Sequence, residues 1–152
     1  YFGYGYSRFS HQFELAMNIQ CRLLETVMAA SACFQSEQAL MRLWRYMNLV
    51  HVLGYNGLTP VYDKTNLFDP FCTEWGLLPE NVPEEAARLD AIGVVTGEDA
   101  YNEVTLWALR LVEDEFGQER LSASNFELLG QKIRECREAM SQLFDAHFQV
   151  LP

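Results

Sequence analysis

Histidines, cysteines and carboxylates are the side chains that most often carry chemistry, and in this sequence they are scattered. The three histidines, His11, His51 and His147, stand alone, without the H-x-x-x-H or H-E-x-x-H spacing that points two imidazoles at one metal ion. The sequence has no G-x-S-x-G turn, P-loop or G-x-G-x-x-G loop. No nucleophile, base and orienting group fall together. We therefore predict that the protein is not an enzyme and has no metal site or organic cofactor.

The four cysteines are predicted to be buried free thiols. They lie far apart, each in an apolar or helical context, and no two of them form a C-x-x-C pair. Because free thiols persist where the surroundings are reducing, we expect the chain to lie in a reducing compartment. The residues are Cys21, Cys33, Cys72 and Cys136.

Acidic residues outnumber basic residues by 21 to 11, which gives a formal net charge of −10. This charge repels a phosphate backbone and no basic run offsets it, so we predict that the protein does not bind nucleic acid. The acidic run 113–115 and the acids Glu80, Glu84 and Glu85 lack the D-x-D-x-D-G spacing of a calcium loop. We expect both groups to be solvated acidic faces.

Apolar residues repeat three and four positions apart along most of the chain, which is the pattern of amphipathic helices. No segment alternates apolar and polar residues convincingly over five or more positions. We therefore predict an all-α fold, with residues 1–152 forming one elongated bundle of two or three long and two or three short helices. The predicted helices are 6–33, 36–53, 69–76, 83–91, 98–116 and a last helix that begins at Ser122 or Ser124.

Capping residues and helix breakers mark the ends of these elements. Ser36 is a predicted N-cap, and Gly54 is predicted to stop the second helix. Residues 55–66 contain several turn formers and are predicted to be a loop. Asp69 followed by Pro70 is the pattern that opens a helix, with the aspartate as its cap.

The last helix carries an apolar seam that needs a partner helix. Its members recur at spacings of three and four, as the a and d positions of a packed helix pair do. Ser122 and Ser124 offer N-caps to this helix. The seam residues are Phe126, Leu129, Ile133, Cys136, Met140 and Leu143.

Arg45 and Asn48 are polar side chains within the apolar run 43–51. A polar group on so hydrophobic a helix needs a hydrogen-bonding partner. Two interpretations stay open. In the first, Arg45 pairs with a carboxylate of the same chain and Asn48 caps or bridges neighbouring helices. In the second, these groups pin the domain to other subunits or to the wall of a pore.

The same segment resembles a motif of the bestrophin family. Arg45-Tyr46-Met47-Asn48-Leu49, continued to Leu53, is similar to the R-Y-x-N-L-x-x-x-L helix of that family. Upstream, Tyr6-Ser7-Arg8-Phe9 resembles the Y-x-R-[FW] element with which the family's second membrane helix leaves the bilayer.

Two downstream segments complete the resemblance, in the same order along the chain. The stretch Glu74-Trp75-Gly76-Leu77-Leu78-Pro79-Glu80, followed by Glu85 and Leu89, resembles the acidic-capped G-[FLM]-[LM]-T/P-x-E stretch of the family. The final helix, ending Leu143-Phe144 and then Leu151-Pro152, resembles the long helix that leads into the third membrane span. The four elements together cover nearly the whole chain.

The resemblance implies a homopentameric membrane channel that passes chloride or similar monovalent anions. In it this chain is the extramembrane vestibule on the cytosolic or an equivalent reducing side, and membrane helices flank it at both ends. Its partners would be copies of itself or other subunits of a membrane complex. The structural motif residues carried over are Tyr6, Arg8, Phe9, Arg45, Tyr46, Asn48 and Leu49.

The start of the last helix, residues 122–126, is the expected lumen-facing constriction, because the family's cytosolic aperture maps close to it. Ser122, Ser124 and Asn125 are the candidate residues of the anion path. The amides of a helix N-terminus favour anions, which fits this position. The alternative is ordinary N-capping by Ser122 or Ser124.

The chain departs from animal bestrophins at residues 54–59, where those proteins have a basic and serine-rich stretch. An anion contact is therefore not carried over to this segment. The neck aromatics and the acidic calcium clasp of the animal members lie outside this chain, so calcium activation is not carried over either. Two alternatives remain: a structural or scaffolding subunit of a larger membrane assembly, or an independent soluble helical domain that binds partner helices through its seam.

Overall fold

The structure is a computed structural model and describes residues 2–56, 58, 61–93 and 98–148. The described residues form six α-helices and no strand, which confirms the all-α prediction. Four of these helices are long, where two or three were predicted. Residues 57, 59 and 60 of the predicted loop and the closing Leu151-Pro152 lie outside the described residues. The helices are α1 (Phe2–Cys33), α2 (Glu37–Tyr55), α3 (Asp69–Glu74), α4 (Pro83–Ile92), α5 (Glu98–Gly117) and α6 (Ala123–Phe148).

The four long helices pack around one apolar core. Helix α1 lies against α6 and α2, and α5 lies against α2 and α6. Each of the four contributes fully buried side chains, among them Ile19, Leu43, Val104 and Ile133. Burying one such side chain contributes about 1.5–3 kcal/mol, so packing of the apolar stripes stabilises the bundle. Across the described ranges, none of the helices is both long and apolar enough to span a lipid bilayer.

The predicted seam of α6 is buried inside the chain itself. Leu129, Ile133, Met140 and Leu143 are all buried, and α6 contacts α1 and α5. Phe126 is partly buried and stacks on Phe116 of α5, with ring centroids 4.6 Å apart. The partner helices that this seam needs are therefore intramolecular, and the hypothesis that the seam is exposed for other proteins is wrong.

Helix α2 begins as predicted but does not end at Gly54. Ser36 caps it, since its hydroxyl oxygen accepts a hydrogen bond from the Ala39 amide at 3.3 Å. At the other end α2 continues to Tyr55, with Gly54 buried inside it. A Cβ atom at Gly54 would overlap the side chain of Met140, which is fully buried on α6. The glycine lets α2 and α6 approach closely here, and this packing role explains why the predicted stop is wrong.

The segment between α2 and α4 is more helical than predicted. Within the predicted loop, Lys64–Phe68 forms a π-helical turn, and the Asp63 carboxylate caps it by accepting a hydrogen bond from the Asn66 amide at 2.8 Å. Helix α3 follows directly, so Asp69 is its first residue and not its cap. Pro70 lies in the first turn, where its missing N–H costs no helical hydrogen bond.

The four cysteines are all free, and only Cys136 is fully buried. Its Sγ lies 3.1 Å from Oγ1 of Thr26 on α1, and burial raises the pKa of its thiol to about 11. Cys33 and Cys72 are partly buried, whereas Cys21 is exposed. The prediction of buried thiols is therefore wrong for Cys21, which lies on the solvent side of α1.

Candidate functional site

The carboxylate of Glu85 accepts three side-chain hydrogen bonds and is buried. Glu85 lies in the first turn of α4, and Arg45 binds both of its carboxylate oxygens from α2. The bond from Nη2 to Oε1 measures 3.0 Å. The Tyr46 hydroxyl donates to the same Oε1 at 2.7 Å. Arg45 also donates to the backbone oxygen of Leu77 at 3.0 Å. We call Arg45, Tyr46, Glu85 and Leu77 the α2–α4 joint.

The α2–α4 joint is nearly closed to water. The side chains of Arg45 and Glu85 are 12% and 10% exposed, and Tyr46 is buried. Burial, followed by the hydrogen bond to Glu85, raises the pKa of Tyr46 to about 12, so its hydroxyl stays protonated and keeps donating. The guanidinium also lies over the Tyr46 ring, 4.8 Å from the centroid. These contacts hold α4 against α2, and they support the intramolecular interpretation of Arg45.

A cleft of about 650 Å³ opens beside the joint, between α2, α4 and α5. Tyr46 and Glu85 form part of its wall, and Trp107 of α5 packs edge-on against the Tyr46 ring with centroids 5.7 Å apart. The Trp107 indole N–H donates to Glu103 at 3.0 Å. Arg88 of α4 binds the same carboxylate and holds the pKa of Glu103 below its usual value. The cleft therefore has two aromatic lining residues, and the polar groups of both already form hydrogen bonds.

Asn48 and Leu49, the other motif residues on α2, do not take part in the joint. Leu49 is fully buried in the core. Asn48 donates to the backbone oxygen of Trp44 one turn earlier, at 2.8 Å, so it bonds within its own helix. It lines a second, smaller groove of about 290 Å³ between α1 and α2, together with Trp44 and His51. Burial lowers the pKa of His51, which favours the neutral imidazole there.

The first motif element lies at the beginning of α1. Tyr6 and Phe9 are among its most exposed aromatic side chains, 72% and 66% exposed. Arg8 points the other way and donates to the backbone oxygen of His147, near the end of α6, at 3.1 Å. The start of α1 and the end of α6 are therefore side by side.

The predicted anion-path residues lie at the start of α6, and one of them, Ser122, caps the helix. The Ser122 hydroxyl accepts a hydrogen bond from the Asn125 amide at 3.2 Å, which is the geometry of an N-cap. Ser124 lies 3.2 Å from the Ser122 hydroxyl and is also exposed. Asn125 is partly buried. The capping alternative is confirmed for Ser122, and capping leaves both hydroxyls at the surface.

Two carboxylates were predicted to be solvated but are buried in ion pairs. Glu85 is one, and Glu115 of α5 is the other. Arg120 binds both oxygens of Glu115 at 2.7 Å and lowers the pKa of that carboxyl. The neighbours Glu113 and Asp114 are exposed, as predicted. The burial of Glu115 could have been predicted, because the helical pattern places it on the same face as the buried core residues of α5.

The structure thus joins segments that the family resemblance treats separately. Arg45 of the R-Y-x-N-L segment contacts Leu77 and Glu85 of the third segment, and Arg8 of the first contacts the end of the last helix. Among the described residues, no group of three or more histidine, cysteine or acidic side chains is arranged to hold a metal ion. Comparison of this chain with family models, curated proteins and solved structures finds no match.

Proposed function

We propose that this chain is the extramembrane, vestibule-forming part of a bestrophin-like channel for chloride or similar monovalent anions. The observation that supports the proposal best is the α2–α4 joint. Arg45 and Tyr46 open the second of the four bestrophin-like segments, Leu77 belongs to the third, and Glu85 follows it. These residues are 32 to 40 positions apart in sequence, yet they bond to one another. Because these motif residues bond to one another in one buried group, they support the resemblance better than separate short matches would.

The contact between Arg8 and His147 is also what the proposal needs. In a domain inserted between two membrane helices, the chain must enter and leave on the same side, the side that faces the membrane. Arg8 lies near the start of α1 and His147 in the last turn of α6, and their atoms are 3.1 Å apart. Membrane helices that continued from these two ends would enter the bilayer next to each other.

Assembly with other subunits has a candidate surface on α1. Six large apolar side chains are between 44% and 72% exposed and recur at helical spacing, so they form one stripe along the helix. We call this the α1 stripe; it consists of Tyr6, Phe9, Phe13, Met17, Leu24 and Met28. An apolar surface of this extent marks an interaction site in most proteins. In the proposed homopentamer it packs against the neighbouring subunit.

The anion path in this proposal passes the N-terminal end of α6. Ser122 and Ser124 present hydroxyl groups to solvent there, and the first amides of the 26-residue α6 add the positive end of a helix dipole. Glu85 and Glu115 are each paired with an arginine, so neither carboxylate is an unpaired charge near the path, and the net charge of −10 lies on the other residues. Chloride acts only as the permeant ion, and no role is assigned to calcium.

The exposed α1 stripe also fits two alternatives. In one, the chain belongs to a structural or scaffolding subunit of a larger membrane assembly. In the other, it is an independent domain that binds partner helices. The stripe would then contact a foreign protein. Native mass spectrometry of the detergent-extracted polypeptide from its source distinguishes these cases. Five identical copies with flanking apolar spans support the channel. One copy bound to foreign subunits supports a scaffold, and a monomer without membrane spans supports the independent domain.

A further inference from the structure

The cleft between α2, α4 and α5 contains two arginines whose polar interactions with the described residues are only longer-range electrostatic ones, such as Arg42 with Glu115 and Arg110 with Glu103. Arg42 of α2 and Arg110 of α5 both line it and are exposed, and neither forms a hydrogen bond or ion pair with any described residue. The chain has 21 acidic and only 11 basic residues, so most bases have a nearby acid to bind. Six basic side chains do so among the described residues: Arg22, Arg45, Lys64, Arg88, Arg120 and Lys132.

The cleft also has apolar lining residues. Trp107 and Leu106 of α5 line it, together with the buried Leu111. The indole N–H of Trp107 is already bonded to Glu103, so what Trp107 offers a ligand is the face and edge of its ring. Tryptophan, tyrosine and arginine are also the residues that contribute most where proteins bind partners.

The charged and apolar residues of the cleft together limit what the ligand can be. Glu84 and Asp114 line it as well and are exposed. Two guanidinium groups and two carboxylates therefore lie in this cleft without an ion pair to any described residue. For a dianion such as phosphate, both the attraction by the arginines and the repulsion by this acidic rim would double, so the apolar lining residues, rather than the charge, favour a ligand with an apolar group beside its anionic group. A carboxylate carries one charge and matches the two-pronged geometry of a guanidinium.

We propose that this cleft binds a monocarboxylate that carries an adjacent apolar group, as a free acid or as the C-terminal residue of a peptide. The carboxylate lies against Arg42 and Arg110, and the apolar group covers Trp107 and Leu106. The volume of about 650 Å³ lies within the range of ordinary small-ligand sites. The inference does not rest on the proposed channel function, since it uses only contacts within this cleft.

The test is a titration of the ¹⁵N-labelled protein followed at the Trp107 indole N–H, assigned by its loss in Trp107→Phe. One probe is 3-phenylpropionate and the other is the dipeptide acetyl-Gly-Phe with a free C-terminus. We expect a saturable shift with at least one probe, and which of them binds more tightly tells a free acid from a peptide terminus. The uncharged 3-phenylpropanamide and the C-terminally amidated dipeptide should give no saturable shift.

Arginine variants locate the binding. Arg42→Gln and Arg110→Gln should each weaken it by about tenfold, because each removes a charged hydrogen-bond donor. Arg134→Gln is the matched control: Arg134 on α6 is exposed, forms no hydrogen bond or ion pair with a described residue, and lies outside this cleft. It should bind as the unaltered protein does. No saturable shift with either acid, or equal binding after both cleft arginines are replaced, would overturn the proposal.

Discussion

Arg45 of α2 donates hydrogen bonds to both carboxylate oxygens of Glu85 in the first turn of α4, and both side chains are nearly buried. A buried ion pair stabilises a fold only modestly relative to apolar side chains, but its two members depend strongly on each other. The pair therefore acts as a specific connection between two helices, because neither charge has another carboxylate or guanidinium partner in the described chain. The same pair determines how α4 faces the cleft.

Replacing Glu85 should lower the denaturant concentration at which the protein unfolds. Glu85→Ala leaves the Arg45 guanidinium buried without its counter-charge, which costs about 3–5 kcal/mol. Glu84→Ala is the matched control, since Glu84 is the exposed neighbour in the same turn and should change the free energy of unfolding by less than about 0.5 kcal/mol. Urea unfolding followed by circular dichroism measures both. Equal stability of the two variants would contradict the role given to the joint.

Gly54 and Gly5 should respond to alanine in opposite directions. Gly54→Ala forces the buried Met140 side chain aside and should destabilise the fold by about 1–3 kcal/mol. Gly5→Ala meets no atom within 4 Å on α1 and should stabilise the helix by about 0.5–1 kcal/mol. Thermal melts of both variants test this. The cost of Gly54→Ala should shrink when Met140→Ala is added; an unchanged cost would mean that Met140 is not the obstacle.

Acid should weaken the Glu115–Arg120 contact. The hydrogen bonds from Arg120 lower the pKa of Glu115 below its ordinary value of 4.5, so the folded state favours the ionised carboxyl. This contribution to stability is fully present above pH 4.5 and is lost as the pH falls through the lowered pKa. Arg120→Gln should flatten the pH dependence of the unfolding free energy in this range, and Glu113→Gln, at an exposed neighbour, should leave it nearly unchanged. The reverse pattern would contradict the assignment.

Ser122 and Ser124 should differ in stability although both are exposed. Ser122→Ala removes the N-cap of α6 and should cost about 1 kcal/mol, whereas Ser124→Ala should stay within about 0.5 kcal/mol. Ser122→Asp keeps a capping oxygen and should preserve stability. Calorimetric melts of the three variants measure these differences. Equal losses for Ser122→Ala and Ser124→Ala would show that Ser122 is not the effective cap.

The long helices could be predicted from the sequence because their signals are local. Helix α5 was expected at 98–116 and runs over Glu98–Gly117, since its apolar spacing and flanking glycines lie within one segment. Ser36 as the cap of α2 is of the same kind. The neighbour that determines Gly54, in contrast, is Met140, far away in sequence. In a sequence, a glycine at the end of an apolar run looks the same whether it ends its helix or lets a second helix pack closely against it.

The candidate site was predictable only in part. The need of Arg45 for a hydrogen-bonding partner followed from its apolar surroundings, but nothing in the sequence chose a carboxylate of the same chain, or Glu85 from 21 acidic residues. The two lie 40 positions apart, and a solvated acid and a buried one have the same side chain. The cleft was not predicted at all, because its lining comes from three helices whose arrangement the sequence pattern does not specify.

Anion flux through liposomes is the measurement that tests the proposed channel most directly. The polypeptide that the proposal implies, with this chain between two membrane helices, is reconstituted into chloride-loaded liposomes, and chloride release is followed with an electrode. We expect release well above that of empty liposomes, and slower release for Ser122→Asp, which adds a negative charge to the proposed path but keeps the helix cap. Release no faster than from empty liposomes, by a correctly assembled and folded protein, would contradict the channel function.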